Sequence, residues 1–292
     1  MSMSFRQMLA RSRLIAMPGV YDSLSALLAE RAGFEGLFLS GSALSYTLLA
    51  RPDIGLVTLT EVTATLERIR DRVSIPVLVD ADSGFGNALN VARTVRVLER
   101  AGAAAIQIED QVNHKSPGNL TARPLISKSE MVGKIKAALD ARHSSETLIS
   151  ARSDAPFTET FDQALDRARA YAEAGADIIF VEGLAELTHL QRLTAEFAGR
   201  KPLLHNLLDG GKSPVQTSGE LAALGYSIVL FPGTAVQSAT SAMEKTLQTL
   251  KTEGHTKSLR AGMHDAKSLN ALIGTPDFLA AAQNYDEHNF KS

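Results

Sequence analysis

The 292-residue chain contains no cysteine and no tryptophan, and aromatic residues make up only 5% of it. Without cysteine there is no disulfide, no thiolate metal site and no thiol nucleophile or acid. The scarcity of aromatics argues against a surface that stacks on bases or sugars. Neither sign of charge dominates, since 30 Lys and Arg face 32 Asp and Glu, for a formal net charge of −2. That balance gives no electrostatic case for nucleic acid or an anionic membrane. No apolar run approaches the roughly 20 residues of a membrane span. The opening "MSMSFRQMLARSRLIAMPG" scatters charge through a stretch that a signal peptide would keep apolar. A soluble, cytoplasmic protein is the expectation.

What the chain does have is a 45% hydrophobic content, arranged with a regular beat. Eight short apolar runs recur: "LIAM" (14–17), "GLFLS" (36–40), "IPVLVDAD" (75–82), "AAIQIED" (104–110), "TLISARSD" (147–154), "DIIFVEG" (177–183), "PLLHN" (202–206) and "SIVLFPG" (227–233). None alternates with polar residues, as expected of strands buried on both faces of a parallel sheet. Amphipathic stretches such as 59–73, 88–102 and 160–175 lie between them, with apolar positions recurring at three and four. Two of these end in Ala-Gly, a helix C-terminal signal. The layout of "AGAAAIQIED" (101–110) is repeated in "AGADIIFVEG" (174–183). Eight β-then-α units in this length predict an α/β fold, a (β/α)8 barrel of TIM type over residues 1–240, rather than an open doubly wound sheet. Residues 241–292 read as a C-terminal helical extension. Its helix-like stretches, "SATSAMEKTLQTLKTEG" and "TPDFLAAAQNYDEHN", would pack on the barrel or on a neighbouring subunit.

In such a barrel the chemistry lies at the C-terminal ends of the strands. Those ends read Ser40-Gly41-Ser42, Asp80 and Asp82, Glu109 and Asp110, Arg152 and Asp154, Glu182, Asn206 and Pro232. A lone Asp after a strand is most simply a helix N-cap, and Asp154 taken alone is given that role. The set as a whole needs another explanation, because like charges so close cost several kcal/mol unless a cation intervenes. With oxygen donors, no cysteine and no paired histidines at i,i+4, the cation would be Mg²⁺ or Mn²⁺ rather than Zn²⁺. Asp80 and Asp82, two apart on a strand, would face the same way, and Glu109 would arrive from the next strand. Arg152 suits bidentate capture of a substrate carboxylate; its rival role is a salt bridge to Asp154 or Glu182. The turn "SGSALS" (40–45) could cradle an anion through its N–H and hydroxyl groups. Together these features suggest a small 2-oxo or 2-hydroxy acid, with the ion as Lewis acid towards an enolate.

A set of motifs then acquires a family context: "GVYDSLSA" (19–26), "SGS" (40–42), "RPDIGLVTLTE" (51–61), "VDADSGFGN" (79–87), "IEDQVNHK" (108–115), "ISARSDA" (149–155), "GADIIFVEG" (175–183), "HNLLDGGKSP" (205–214) and "LFPGTA" (230–235). Through them, over roughly residues 5–260, the chain resembles the isocitrate lyase / phosphoenolpyruvate mutase superfamily. It looks most like the short members: methylisocitrate lyase, dimethylmalate lyase, carboxyphosphonoenolpyruvate mutase and oxaloacetate decarboxylase. The resemblance implies that Asp80, Asp82 and Glu109 serve Mg²⁺, some of them through water. It implies that Ser40, Gly41 and Ser42, with Arg152, hold the 2-oxo acid, and that Glu182 and Asn206 line the pocket. Asp53, in the loop after the second strand, would lie near the reacting atom. The family barrel is usually a homotetramer with its C-terminal helix exchanged between subunits.

The chain also departs from the family pattern. In the lyases the loop after the fourth strand reads "KKCGH" or "KRCGH", and its cysteine is the acid or base on the cleaved fragment. Here the same place reads Lys115-Ser116-Pro117-Gly118-Asn119. Proline has neither a side-chain proton nor an N–H, so it cannot substitute. The Asn-Ser pair of the mutase loop is missing as well, and Thr234 stands where the decarboxylases carry a histidine. Lys115 remains a catalytic candidate in this loop, and His114 or Ser116 could replace the acid, although His114 reads first as an exposed loop histidine. His205 reads first as a hydrogen-bonded structural histidine.

The expectation is therefore a Mg²⁺-dependent carbon–carbon lyase, of decarboxylase or retro-aldol/Claisen type, working without a thiol acid. Its substrate would be a small dicarboxylate such as oxaloacetate or a methylisocitrate-like acid. The alternatives are a phosphonate P–C mutase or hydrolase, in which Lys115 would meet the phosphoryl group, and a barrel that binds a carboxylate without turnover.

Overall fold

Each of the eight apolar runs forms one parallel strand in the computed structural model, which describes residues 3–11, 13–112 and 123–286. The strands are β1 (Ile15–Val20), β2 (Leu37–Leu39), β3 (Val77–Asp80), β4 (Ala105–Glu109), β5 (Leu148–Ser153), β6 (Ile178–Val181), β7 (Leu203–Asn206) and β8 (Ile228–Phe231). They pair in sequence order, and β8 closes on β1 with Ile15 opposite Ile228 and Met17 opposite Leu230. The result is a closed eight-stranded (β/α)8 barrel.

Twelve α-helices accompany the strands among the described residues: α1 (Phe5–Leu9), α2 (Ser23–Arg31), α3 (Gly41–Leu44), α4 (Leu59–Arg70), α5 (Ala88–Arg100), α6 (Lys128–Ala141), α7 (Phe161–Glu173), α8 (Leu187–Phe197), α9 (Ser218–Leu224), α10 (Thr234–Glu253), α11 (Ala266–Ile273) and α12 (Thr275–Gln283). Their starts are set by side-chain caps. Thr58, Asn87 and Thr160 each accept from the backbone N–H three residues on, in reciprocal capping boxes. The Ala-Gly endings behave as the sequence suggests, with Gly102 at φ +94° and Gly175 at φ +107°, just past α5 and α7.

Period-two alternation sorts each strand into an inner and an outer face. Ile15, Met17, Phe38, Leu78, Ala105, Leu148, Ile178, Phe180, Leu204, Ile228 and Leu230 form the cluster that fills the barrel. Their neighbours, among them Val77, Val79, Ile106, Ile108, Ile149, Ala151 and Ile179, join a separate cluster with helix residues such as Leu66, Val95, Ile135 and Ala168. Both faces of most strands are therefore apolar over most of their length, which explains the lack of polar alternation in the sequence; β4 and β5 differ, their inner faces turning polar at the buried Gln107 and Ser150.

The chain divides into two compact units, residues 1–237 and 238–292, with the division falling inside α10. The first holds the barrel. In the second, α11 and α12 bury no side chain, and apolar residues such as Met243 and Phe278 are 60% and 68% exposed. Among the described residues no helix is long and apolar enough to cross a membrane.

One expectation is corrected. Asp80 and Asp82 do not share a strand face, because β3 ends at Asp80 and Asp82 lies in a left-handed turn at φ +45°. A turn, not strand alternation, therefore aims Asp82.

Closure also leaves a fixed steric demand at Gly19. A Cβ there would lie 2.2 Å from the Pro232 carbonyl oxygen, which is backbone and cannot swing away. Gly19→Ala is expected to cost at least about 2 kcal/mol of stability, read as a lowered urea midpoint; an unchanged midpoint would show that the β1–β8 seam is looser than described.

Candidate active site

At the rim, the inward-facing position of six successive strands becomes polar: Ser40, Asp80, Glu109, Arg152, Glu182 and Asn206. The register of β4 on β5 sets Glu109 beside Arg152, and Arg152 Nε lies 3.5 Å from Glu109 Oε2. Asp154 grips the same guanidinium along its Nε–Nη2 edge, accepting from Nε at 3.0 Å and from Nη2 at 2.9 Å. Arg152 is also stacked 5.2 Å from the Phe180 ring. Burial opposes the charge on Arg152, but Asp154, Glu109 and Glu182 outweigh it and raise the pKa well above the ordinary value. Burial pushes the Asp154 carboxyl up, yet Arg152 and then Arg123 pull it below the usual range. The rival role for Arg152, an ion pair with Asp154, is thus realised. A guanidinium has five N–H donors, so this pairing does not preclude a substrate carboxylate.

Asp154 is the N-cap residue of a short 3-10 turn at Ala155–Phe157, but its side chain makes no capping bond. It ties Arg152 to Arg123 instead, so the capping role read for it from the sequence is corrected. Arg123 stacks 3.9 Å above the Phe157 ring. Both line a cavity of about 250 Å³ together with Glu182, His205, Asn206 and Lys212. Glu182 accepts from Asn206 Nδ2 at 3.0 Å; burial raises its pKa, with Arg152 acting the other way.

A second cavity, of about 360 Å³, is lined by Asp82, Glu109 and Phe85 and by the 55–59 segment leading into α4. Asp53 is half-buried in the same loop, two residues ahead of Gly55. Ser45 Oγ steadies that loop by donating to the carbonyls of Arg51 and Pro52 at 3.0 and 2.9 Å. Across the rim Ser40 caps α3, its Oγ 3.1 Å from Ser42 Oγ. A Cβ at Gly41 would lie 2.9 Å from Asp80 Oδ2, so a side chain there would displace that carboxylate. The Asp82 N–H reaches Asp80 Oδ1 at 3.2 Å, and the Glu109 N–H donates to the Asp82 carbonyl at 2.9 Å. The expected residues Ser40, Gly41, Asp80, Asp82, Glu109, Arg152, Glu182 and Asn206 therefore stand around one rim. Lys115, His114 and Ser116 lie outside the described residues.

The geometry can be set beside known proteins. The model of the phosphoenolpyruvate phosphomutase family matches residues 5–251. The chain belongs to the phosphoenolpyruvate mutase / isocitrate lyase superfamily. It is 46% identical over 275 residues to a 2-methylisocitrate lyase of Aeropyrum pernix, covering 94% of this chain and 87% of the relative. It is 40% identical over 280 residues to the 2,3-dimethylmalate lyase of Eubacterium barkeri, covering 96% of each. Among solved structures, a phosphonopyruvate hydrolase in complex with oxalate and Mg²⁺ superposes with a TM-score of 0.87 at 30% identity, over 96% of this chain and 97% of that one.

For a superfamily member the question is whether these residues fit a divalent ion. The donors are all oxygens, which suits Mg²⁺ or Mn²⁺. Among the described residues no three His, Asp or Glu side chains converge into a ready-made ligand set. Asp80, Asp82 and Glu109 are therefore not a direct three-carboxylate chelate. They fit a Mg²⁺ ion that keeps several waters and takes one or two protein carboxylates.

Sequence reasoning missed the supports behind this rim, and it placed one of them, Asp110, among the rim acids; the structure corrects this, turning Asp110 towards β5 and α7. Asp110, fully buried, accepts from Ser153 Oγ at 2.7 Å, Tyr171 Oη at 2.7 Å and the Asp154 N–H at 2.9 Å, with Arg167 Nη1 at 3.5 Å. Burial raises the Asp110 pKa, and these bonds oppose the rise. Lys134, on α6, reaches the Ser83 carbonyl; burial lowers its pKa, while Glu130 and Glu109 act to raise it. Arg123 had no signal in the sequence beyond its charge. Thr234 donates to Asp209 Oδ2 at 2.7 Å, so its hydroxyl has a local partner.

His205 is hydrogen-bonded, as expected, with Nε2 3.0 Å from Ser213 Oγ, and its Nδ1 is buried without a partner. Burial lowers its pKa from 6.5 to about 4. The folded protein thus binds this proton less readily than the unfolded chain does. Stability should fall as pH drops from about 6.5 towards 4, by an amount on the order of 3 kcal/mol at the lower end. The loss should be smaller in His205→Gln, compared by urea denaturation at pH 7 and pH 4.5; equal acid sensitivity of the two proteins would rule His205 out as its source.

Proposed function

We propose that the chain is a Mg²⁺-dependent carbon–carbon lyase acting on a small 2-oxo or 2-hydroxy dicarboxylate, such as oxaloacetate or a methylisocitrate-like acid. The observation that carries this reading is the pairing of Glu109 with Arg152 across the β4–β5 register, beside the cavity that Asp82 and Glu109 line. The relatives named as lyases, and the structural neighbour solved with oxalate and Mg²⁺, support it.

In this reading Asp80, Asp82 and Glu109 hold the ion, in part through water, and Mn²⁺ can take its place. Bound there, it would supply Lewis acidity to the negative charge that develops on the substrate's 2-oxygen. The N–H donors of Arg152 left by Asp154, together with Ser40, Gly41 and Ser42, orient the 2-oxo acid carboxylate. Glu182 and Asn206 face the part of the substrate that departs. The carboxyl of Glu182, its pKa raised by burial, can hold a proton close to that fragment. Asp53, in the loop after β2, and Lys115, which lies outside the described residues, are the further catalytic candidates. The chain has no cysteine, so no thiol protonates the enolate. Water or one of these residues must do so, which favours cleavages whose carbanion needs little help, decarboxylation among them.

The exposed Met243, Leu247 and Leu250 fall at i, i+4 and i+7 on α10. An apolar stripe of this kind suits coverage by a neighbouring copy of the chain, in keeping with the homotetramer and exchanged C-terminal helix that the resemblance implies.

The test is incubation with oxaloacetate, 2-methylisocitrate and phosphonopyruvate in turn, with Mg²⁺ and then with EDTA, following pyruvate and phosphate. Mg²⁺-dependent pyruvate release from oxaloacetate or 2-methylisocitrate is the expected outcome. Phosphate release from phosphonopyruvate alone would place the chemistry at a P–C bond, and no turnover by protein that binds Mg²⁺ would leave a carboxylate-binding barrel. Asp82→Asn, which tolerates the left-handed turn, is expected to lower turnover at least about a hundredfold while the protein stays folded by circular dichroism. Arg152→Lys should raise KM at least about tenfold, because a bidentate charge pair in a desolvated site is lost; an unchanged KM would show that the carboxylate is held elsewhere.

A further inference from the structure

One lysine occupies a position where helix packing asks for an apolar side chain. The buried face of α6 consists of Met131, Lys134, Ile135, Ala138 and Ala141, and Lys134 is only 2% exposed. An ammonium taken out of water is unfavourable unless polar partners receive its protons. Its Nζ donates to the Ser83 carbonyl oxygen at 3.0 Å, in a buried bond between residues 51 positions apart. It also lies within electrostatic reach of Glu109.

Ser83 sits in a run of left-handed backbone. Asp82 and Phe85 hold φ values of +45° and +59°, and Gly84 and Gly86 hold +86° and +145°. Non-glycine residues stay in the left-handed region only where their surroundings hold them there. Bonds from neighbouring elements brace this turn, in addition to the one inside it from the Gly84 N–H to the Ala81 carbonyl at 2.8 Å. Lys134 holds the Ser83 carbonyl, Thr94 Oγ1 holds the Gly84 carbonyl at 3.1 Å, and the Glu109 N–H holds the Asp82 carbonyl at 2.9 Å. Lys134 is the one charged donor of the three, and the bond it makes comes immediately after Asp82.

We propose that Lys134 is a positioning residue for the metal site: by holding the Ser83 carbonyl from α6 it locks the 82–86 turn so that Asp82 stands beside Glu109. The inference rests on the reading of these carboxylates as Mg²⁺-binding. Without the ammonium the turn relaxes and metal affinity drops. The contacts that hold the substrate carboxylate, through Arg152 and the Ser40–Ser42 turn, are untouched.

The test uses Lys134→Met, which keeps the apolar stem, and Lys134→Arg, which keeps a charged donor. Mn²⁺ affinity is read by electron paramagnetic resonance on the purified protein, and folding by thermal melts. Lys134→Met is expected to weaken Mn²⁺ binding at least tenfold and to raise the Mg²⁺ concentration for half-maximal activity in step. KM for the oxo acid at saturating Mg²⁺ should stay within twofold, and Lys134→Arg should retain Mn²⁺ affinity within about threefold. Should the methionine variant not fold, Lys134→Gln is read by the same criteria. Wild-type Mn²⁺ affinity in a folded Lys134→Met protein, with or without a lowered melting temperature, overturns the inference. An equal loss in Lys134→Arg does so too, since volume rather than the donor would then matter. Failure of the unaltered protein to bind Mn²⁺ would remove the metal reading and this inference with it, an outcome the wild-type measurement alone identifies.

Discussion

The site is organised around an excess of carboxyl groups at one end of a barrel, held too close together to be stable on their own. Asp80, Asp82, Glu109, Asp154 and Glu182 crowd a rim that offers the guanidiniums of Arg152 and Arg123 and the buried ammonium of Lys134. Two devices manage the repulsion. Asp154 is neutralised by binding both arginines at once, which also fixes the Arg152 plane. Burial raises the Glu182 pKa and so favours its neutral form. What remains, around Asp82 and Glu109, faces a cavity and suits a hydrated dication.

The rim works only because the layer behind it is rigid. Asp110 points away from the barrel interior and gathers Ser153, Tyr171, Arg167 and the Asp154 backbone into a fully buried knot between β5 and α7. It contributes nothing to substrate contact in this arrangement. Its task is to hold the peptide of Asp154 still, so that the paired arginines are presented in one orientation. Buried polar networks of this kind specify a conformation where apolar packing alone would leave several. On the neighbouring strand, the bond from Glu109 to the Asp82 carbonyl does similar work for the acidic side of the rim.

Relatives at 40% and 46% identity carry lyase names, yet this chain lacks the thiol that the family's lyase loop supplies. The physical consequence is narrow. In the proposed mechanism a metal ion and Arg152 would stabilise negative charge on oxygen whatever the fate of the carbanion, so the first half of it would need no thiol. Only the protonation of the carbanion needs a new donor.

Much of this was legible in the residue order because burial on both faces of a parallel strand leaves an unmistakable mark. The eight runs without polar alternation became the eight strands, and the polar residue ending each inner face became the rim from Ser40 to Asn206. The Asp154 cap and the shared strand face of Asp80 and Asp82 were misread for a common reason: both treated a local pattern as decisive. Capping and alternation are the default uses of an Asp after a strand or two residues along one. A left-handed turn at Asp82 and two arginines within reach of Asp154 overrode them.

The sequence alone determined the strand count, the helix ends and the type of atom available at the rim, because these depend on periodicity and on side-chain chemistry. Tertiary structure decided which carboxylate meets which cation. Arg123, Lys134, Asp110 and Tyr171 are each brought in from another element by barrel closure and helix docking, as in the Lys134–Ser83 and Tyr171–Asp110 bonds. A buried charge in a helix, or an arginine in a loop, looks alike in the sequence whether it braces a site or merely faces solvent. Only the partner tells them apart, and the partner lies far away along the chain.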